Sequence, residues 1–457
     1  MTHRREKIFL EKSQISFDTN HRRILKYNIS RYDQAVEKGK MRHLEYEVSR
    51  KYASGIKEQA LDHLPDYLEV FERNMVSRGV EVLWARDGEE AMGYIRDILE
   101  EHRIRLVVKS KSMITEEIRC NELLAEWNID VVETDLGEFI VQTAGEKPYH
   151  ILTPAMHKSK EDVALLFHEK FGTPIDAAPE EVAGFVRDRL RKQFAQAGAG
   201  ITGANFIIAD QGGIALTENE GNALMTTSFP RVHIVIAGIE RVISSMDQLP
   251  FFFRWLAVHG TGQPVSAYNT LLLGSRKEKE DDGPEKMVVI LLDNGRSRLI
   301  AEKEERQALK CIRCGACLNA CPIYRNVGGY TYGSTYSGPV GSVITPFYSG
   351  FSEYGHLSFA CTLCGKCSEV CPVGIPLHEL LLLNRKRRNK ETSGSFLWNS
   401  GMRMFRYACS SRNRMDLASG AFKNCLASAV PRLLGNKRKM PRFAAKSFAQ
   451  QWKSLNH

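Results

Sequence analysis

"CIRCGACLNACP", residues 311–322, places four cysteines within eleven positions and follows the last with proline. The same spacing returns at residues 361–372 as "CTLCGKCSEVCP". Both read C-x2-C-x2-C-x3-C-P, the spacing of bacterial two-cluster ferredoxins. Structural zinc usually takes its ligands as two short pairs, and explains neither the triple spacing nor the prolines. In the ferredoxin pattern the fourth cysteine of each run belongs to the other cluster. The expected ligand sets are therefore Cys311, Cys314, Cys317 and Cys371 for one [4Fe–4S] cluster, and Cys361, Cys364, Cys367 and Cys321 for a second. Gly315 and Gly365 either relieve crowding where the backbone wraps each cluster or simply make a turn. Arg313 and Lys366 lie inside the loops, either favouring the more negative reduced state or as ordinary solvated charges.

Working outward, the 39 residues between Cys321 and Cys361 include "GGYTYGSTYSGPVGSVITP", which reads as an ordered loop. "AEKEERQAL" before the first run and "PLHELLLLNRKRR" after the second are helix formers, the latter opened by proline. The cysteine-bearing module is therefore expected to be an α-helical ferredoxin over 301–390. Three further cysteines, Cys120, Cys409 and Cys425, are scattered. A chain of 457 residues with a charged start, "MTHRREKIFLEK", does not suit a small secreted disulfide framework. No run approaches the roughly 18 apolar residues of a membrane span. The cysteines thus read as thiolates in a reducing cytoplasm.

Residues 1–75 show apolar positions at helical spacing, as in "LDHLPDYLEVFERNMVSRG", and form an expected N-terminal helical segment. From 76 to 300 strand-like and helix-like stretches alternate: "VEVLWA", a helix over about 88–102, "RLVVKS", a helix over about 115–127, "DVVET". "NFIIAD", "GIALTE", "RVHIVIAG" and "KMVVILLD" are further strands, with "DQGG" a hairpin turn and 278–285, "EKEDDGPE", a charged loop. The rhythm predicts an α/β domain with a parallel sheet. From Arg385 onward there are 17 Lys or Arg against Glu391 and Asp416, so the whole net charge of +9 resides in a basic C-terminal tail, 391–457. Its readings are an anionic membrane surface or acidic partner, a solvated tail, or nucleic acid; no nucleic-acid motif accompanies the charge.

Several long segments, "LVVKSKSMITEEIRCNELL", "DVVETDLGEFIVQ", "HILTPAMHKSKEDVALLF" and "NEGNALMTTSFPRVHIVIAGIERV", resemble the lactate-utilisation protein B family, as does "YGSTYSGPVGSVITP" between the cysteine runs. The resemblance runs from about residue 45 to about 390. It implies a LUD domain, similar to the sugar-phosphate isomerase and coenzyme A transferase fold, joined to a dicluster ferredoxin module. It also implies a part in oxidising L-lactate to pyruvate, beside a cysteine-rich redox subunit and a second LUD protein. "ADQGG" (209–213) and "VHGTGQ" (258–263) depart from the family's usual wording, which puts the substrate in question.

Within the α/β domain, "KSKSMITEE" follows a strand and opens a helix. Its amides with Lys109 and Lys111 suit an anion, whereas Thr115 as N-cap with Glu116 and Glu117 behind it is the plain alternative. Glu133 and Asp135 end a strand where such sheets bind ligands, or are loop acids. His233, between apolar neighbours, reads as a core histidine. No catalytic base stands out. Neither a GxGxxG fingerprint nor a flavin signature is present, which argues against a nicotinamide cofactor. Three roles remain. The chain is an electron-transfer subunit passing electrons to a membrane- or quinone-linked acceptor, a self-contained hydroxy-acid dehydrogenase, or a docking scaffold.

Overall fold

The computed structural model describes residues 4–391, 396–434 and 442–455. Among the described residues ten strands form two sheets. The larger is wholly parallel, in the order β1 (Glu81–Ala85), β10 (Lys286–Leu292), β7 (Val232–Gly238), β4 (Ala199–Thr202), β2 (Leu106–Lys109) and β3 (Asp130–Glu133). Parallel sheets are covered on both faces, so their central strands are apolar throughout. β7 is buried at every residue and β10 at six of seven. That is why "RVHIVIAG" and "KMVVILLD" are continuous runs rather than alternations. One face packs on the helix Gly88–Glu101 through Ala91, Met92, Ile95 and Leu99. The other packs on the helix Leu64–Val76 through Leu68, Phe71 and Met75.

The smaller sheet has the order β8 (Val242–Ile243), β5 (Phe206–Ile208), β6 (Gly213–Glu218) and β9 (Tyr268–Leu272). β5 and β6 are antiparallel across the expected "DQGG" turn, where Gly212 takes φ +60°. The reading of 278–285 as a loop also agrees with the structure. The helix expected near 115–127 is two, Met113–Glu117 and Cys120–Glu126, broken where Arg119 turns left-handed at φ 58°.

The cysteine module is helical, without strands among its described residues. "PLHELLLLNRKRR" forms the helix Leu377–Glu391. The stretch read as an ordered loop departs from expectation, because Gly338–Ser349 is a helix with only Ser349 outside the buried set. Glycine and proline lower its local propensity, and burial against Leu357, Leu377 and Leu381 outweighs that preference. Residues up to Glu391 form one compact unit; Thr392–His457 form a second, with helices Phe396–Cys409, Gly420–Leu434 and Phe448–Leu455. No described helix is long and apolar enough to cross a membrane.

Candidate metal centre

The two runs fold alike locally. Arg313 (φ 61°) and Leu363 (φ 55°) occupy the left-handed region, and each turns its amide back to the first sulfur of its run. Arg313 N–H donates to Cys311 Sγ at 3.4 Å and Leu363 N–H to Cys361 Sγ at 3.3 Å. Gly315 and Gly365 follow at φ 75° and 78°, each opening a short helix, Ala316–Ala320 and Lys366–Glu369. Both glycines serve the turn. At Gly315 a side chain would also press on Ile151 Cγ2 at 3.2 Å, whereas space is open at Gly365.

The sulfurs then group across the runs. Burial raises the thiols of Cys314 and Cys317, and the nearby sulfurs of Cys311 and Cys371 raise them further. Burial likewise raises Cys321, with Cys361 and Cys364 as its sulfur neighbours, and lifts Cys367 to about 12 with Cys361 and Cys321 beside it. Cys371 is lifted to about 11 by burial, with Cys311 its neighbour. The fourth cysteine of each run therefore sits with the first three of the other. Among the described residues no three Cys, His, Asp or Glu close in around a single metal ion. Each quartet is all sulfur and self-repelling once ionised; three cysteines of the first quartet are buried and two of the second. Such a set needs a positively charged partner, and four thiolates per cluster is the donor set of a [4Fe–4S] group. The residues fit that group.

Their surroundings differ. Arg313 is 8% exposed and lies against the α/β domain. Its guanidinium stacks 4.4 Å from the Tyr336 ring centroid, and Nη2 approaches Glu240 Oε1 at 3.5 Å. Glu240, in the turn after β7, accepts from Arg296 Nε at 2.6 Å. Arg296 also grips Glu117 with both terminal nitrogens at 2.9 Å, and Tyr336 Oη donates to Glu117 at 2.6 Å. Burial opposes ionisation of Glu240, but Arg296, Arg241 and Arg313 hold its carboxyl down to about 2. Lys57, lowered to about 7 by burial, donates to the carbonyls of Glu240 and Val242. Lys366 in the second run instead faces solvent, paired with Glu369 at 3.3 Å.

The other expected residues have structural partners. Lys109 is fully buried, 2.7 Å from Glu133 and 3.5 Å from Glu116, so it is not open to a ligand. Thr115 lies inside its helix rather than at the N-cap. Its hydroxyl accepts from Lys109 Nζ and donates to the Ser112 carbonyl, because the helix begins two residues earlier than its sequence suggests. Asp135 caps the helix Leu136–Thr143, accepting from Glu138 N–H at 3.0 Å. His233 is a core histidine, 1% exposed and hydrogen-bonded to Thr202 at 2.9 Å. Lys111 bonds to the Leu152 carbonyl and lines a cavity described below. Glu240, Arg241 and Arg296 carry no signal in the sequence beyond following strand ends.

Residues 68–292 match the LUD domain and residues 307–375 the 4Fe-4S dicluster domain. "Lactate utilization protein B" of Bacillus velezensis is 45% identical over 338 residues, covering 74% of this chain and 71% of its own length. The protein of the same name from Bacillus cereus is 40% identical, covering 86% of this chain and 82% of its own. This chain belongs to the lactate utilization protein B family. The LUD match spans both sheets, and the 4Fe-4S dicluster match lies in the helical module. A crystal structure of a DUF162 family protein from Deinococcus radiodurans aligns at TM-score 0.28 and 15% identity, covering 50% of this chain and 98% of that one.

Proposed function

We propose that the protein is the iron–sulfur electron-transfer subunit of a multi-protein system that oxidises L-lactate to pyruvate. The observation that carries this reading is the crosswise grouping of eight cysteines into two quartets, joined where Cys317 of one neighbours Cys367 of the other. Cys311, Cys314, Cys317 and Cys371 would hold one [4Fe–4S] cluster and Cys321, Cys361, Cys364 and Cys367 the other. Clusters there would supply one-electron storage and transfer, suited to dividing the two electrons that leave lactate. The chain's own residues set the environment. Arg313 holds positive charge beside Cys311, and Arg50 ties the N-terminal helices to the carbonyls of Ser368 and Cys371 at 2.8 Å. Arg385 ties the helix Leu377–Glu391 to the carbonyls of Ser358 and Cys361.

The proposed partners are a cysteine-rich redox subunit and a second LUD protein, with a membrane- or quinone-linked acceptor beyond them. Exposed Phe405, Tyr407, Phe448 and Trp452 beside basic residues of the tail support docking to such a surface, and contacts of that kind weaken as salt screens them. Anaerobic purification is the test. Iron and sulfide should each approach about eight per chain, and lactate should bleach the visible absorption only when partner proteins are added. Stoichiometric zinc without sulfide would end the reading. Reduction by lactate in the isolated chain would replace it with a self-contained dehydrogenase.

A further inference from the structure

A cavity of about 380 Å³ lies at the carboxyl ends of β2, β4 and β7, between the α/β domain and the first cysteine loop. Open parallel sheets bind ligands at this edge. Lys111 follows β2, Gly203 follows β4, Glu240 and Arg241 follow β7, and Arg313 and Tyr336 come from the cysteine module.

Charge is unevenly matched along the cavity. Three guanidinium groups converge on Glu240: Arg296 at 2.6 Å, Arg313 at 3.5 Å and Arg241 at 4.0 Å. Arg296 is satisfied by Glu117 and Glu240 together. Arg313 lies beside Cys311 and reaches Glu240 with Nη2 at 3.5 Å, yet its Nε and Nη1 are buried without a hydrogen-bond partner among the described residues. Arg241 makes no side-chain hydrogen bond among the described residues; its single ion pair is the 4.0 Å approach to an already shared carboxylate. Burial and the neighbouring Arg313 both work against its charge. A guanidinium offers five N–H donors in a planar fork, and leaving them unanswered in an enclosed place is costly. A small anion there would relieve both arginines.

The other end limits what the anion can be. Asp135, Glu218 and Glu220 line it, and Glu220 is raised to about 7 by burial and by Asp135. No ion pair links these acids to the arginine end among the described residues. A multiply charged phosphate would meet them with repulsion. A monocarboxylate presents its single charge to the fork, the geometry arginine matches best, and leaves a hydroxyl to face the acids.

We propose that this cavity binds a small monocarboxylate, its oxygens held by Arg241 and Arg313, with Asp135 and Glu220 at the far end. The site rests on the arginines; the choice of lactate and pyruvate as probes rests on the proposed function. The test is calorimetric titration of the anaerobically purified full chain with L-lactate, pyruvate, acetate and phosphate. The carboxylates should bind and phosphate should not compete, and Arg241→Gln should weaken binding by about tenfold or more, as befits loss of a bidentate contact. A second measurement needs no variant: pyruvate should protect Arg241 of the wild-type chain from butanedione, read by peptide mass. No carboxylate binding together with no protection overturns the proposal. Unchanged affinity in a folded Arg241→Gln chain, or phosphate binding in preference, also overturns it. Binding of acetate but neither lactate nor pyruvate would keep the site as a carboxylate site while leaving the proposed function, in which partner proteins handle lactate, to its own test.

Discussion

The two cysteine runs have one spacing and one backbone path, and are set in opposite surroundings. In the first, residues 312–315 are buried, and Arg313 is locked between Tyr336 and Glu240. In the second, Cys364 is exposed, Cys361 half-buried, and Lys366 points into solvent. The same motif is thus used once as a wall of the α/β domain and once as part of the surface. Motif spacing dictates which sulfurs meet. What touches those sulfurs depends on the rest of the chain, so the two quartets are chemically unequal despite equal ligands. The buried quartet adjoins the cavity, and the exposed one is the side a partner can reach.

The largest effect should come from crossing the comparison itself. Cys321→Ala should lower iron from about eight to about four per chain, and the signal that survives should match that of Cys361→Ala. Electron paramagnetic resonance of the reduced variants checks this. A surviving signal shared instead with Cys311→Ala would show that the quartets are not crossed.

Next in size is the loss of a buried charge. Arg313→Met should destabilise the chain by about 3 kcal/mol, the low end for breaking a buried pair because Arg296 still holds Glu240. Anaerobic urea denaturation measures it, and a change below about 0.5 kcal/mol, the size of a surface substitution, would erase the contrast between the runs.

Burial of three histidines should also make the protein acid-sensitive. Burial holds His150, His233 and His259 down to about 3. Their folded values lie below the unfolded 6.5, so between those limits the unfolded chain binds protons that the folded chain refuses. Stability should fall as pH falls from about 6.5 toward 3, by at most about 1.4 kcal/mol per pH unit for each histidine. His233→Gln should make that slope shallower by one histidine's share, read from denaturation midpoints between pH 6.5 and 5.

The smallest effect belongs to the exposed run. Lys366 and Glu369 are 60% and 69% exposed, and Lys366→Gln should change stability by less than about 0.5 kcal/mol. A large loss there would mean the second run is not the solvent-facing one.

The unequal settings also explain what a reader of the sequence could and could not find. Cysteine spacing carries the grouping of the sulfurs, because the backbone path is local in each run and the crossing follows from the motif. Strands β7 and β10 are legible because burial on both faces leaves long apolar runs. β4 is not: "AGIT" is short and small, since the helix Asn222–Ser228 lies so close that a Cβ at Gly200 would fall 2.0 Å from the Thr226 carbonyl oxygen. The helix Gly338–Ser349 is hidden by its glycines and proline, which say loop until the surrounding core is known. Arg241 and Glu240 are ordinary in sequence. Their role exists only because the end of β7 and the loop at Arg313, about 70 residues apart, meet.

The position of β10 has a consequence for how the protein is made. β1 has a single neighbour, β10, which inserts between it and β7. On the ribosome, β1 therefore waits for about 200 further residues before it can pair, a costly loop closure. When Leu292 finally emerges, the sheet completes, and the first cysteine run follows roughly 20 residues later in the order of N-terminal-first folding. A cluster held by the proposed quartets would therefore load beside a finished wall, with Arg313 meeting a Glu240 already in place. The helix Tyr46–Asp62, made near the start, gains its Arg50 contacts only when Ser368 and Cys371 arrive. A nascent chain stalled before residue 286 would leave β1 an unpaired strand, a template for pairing with a neighbour.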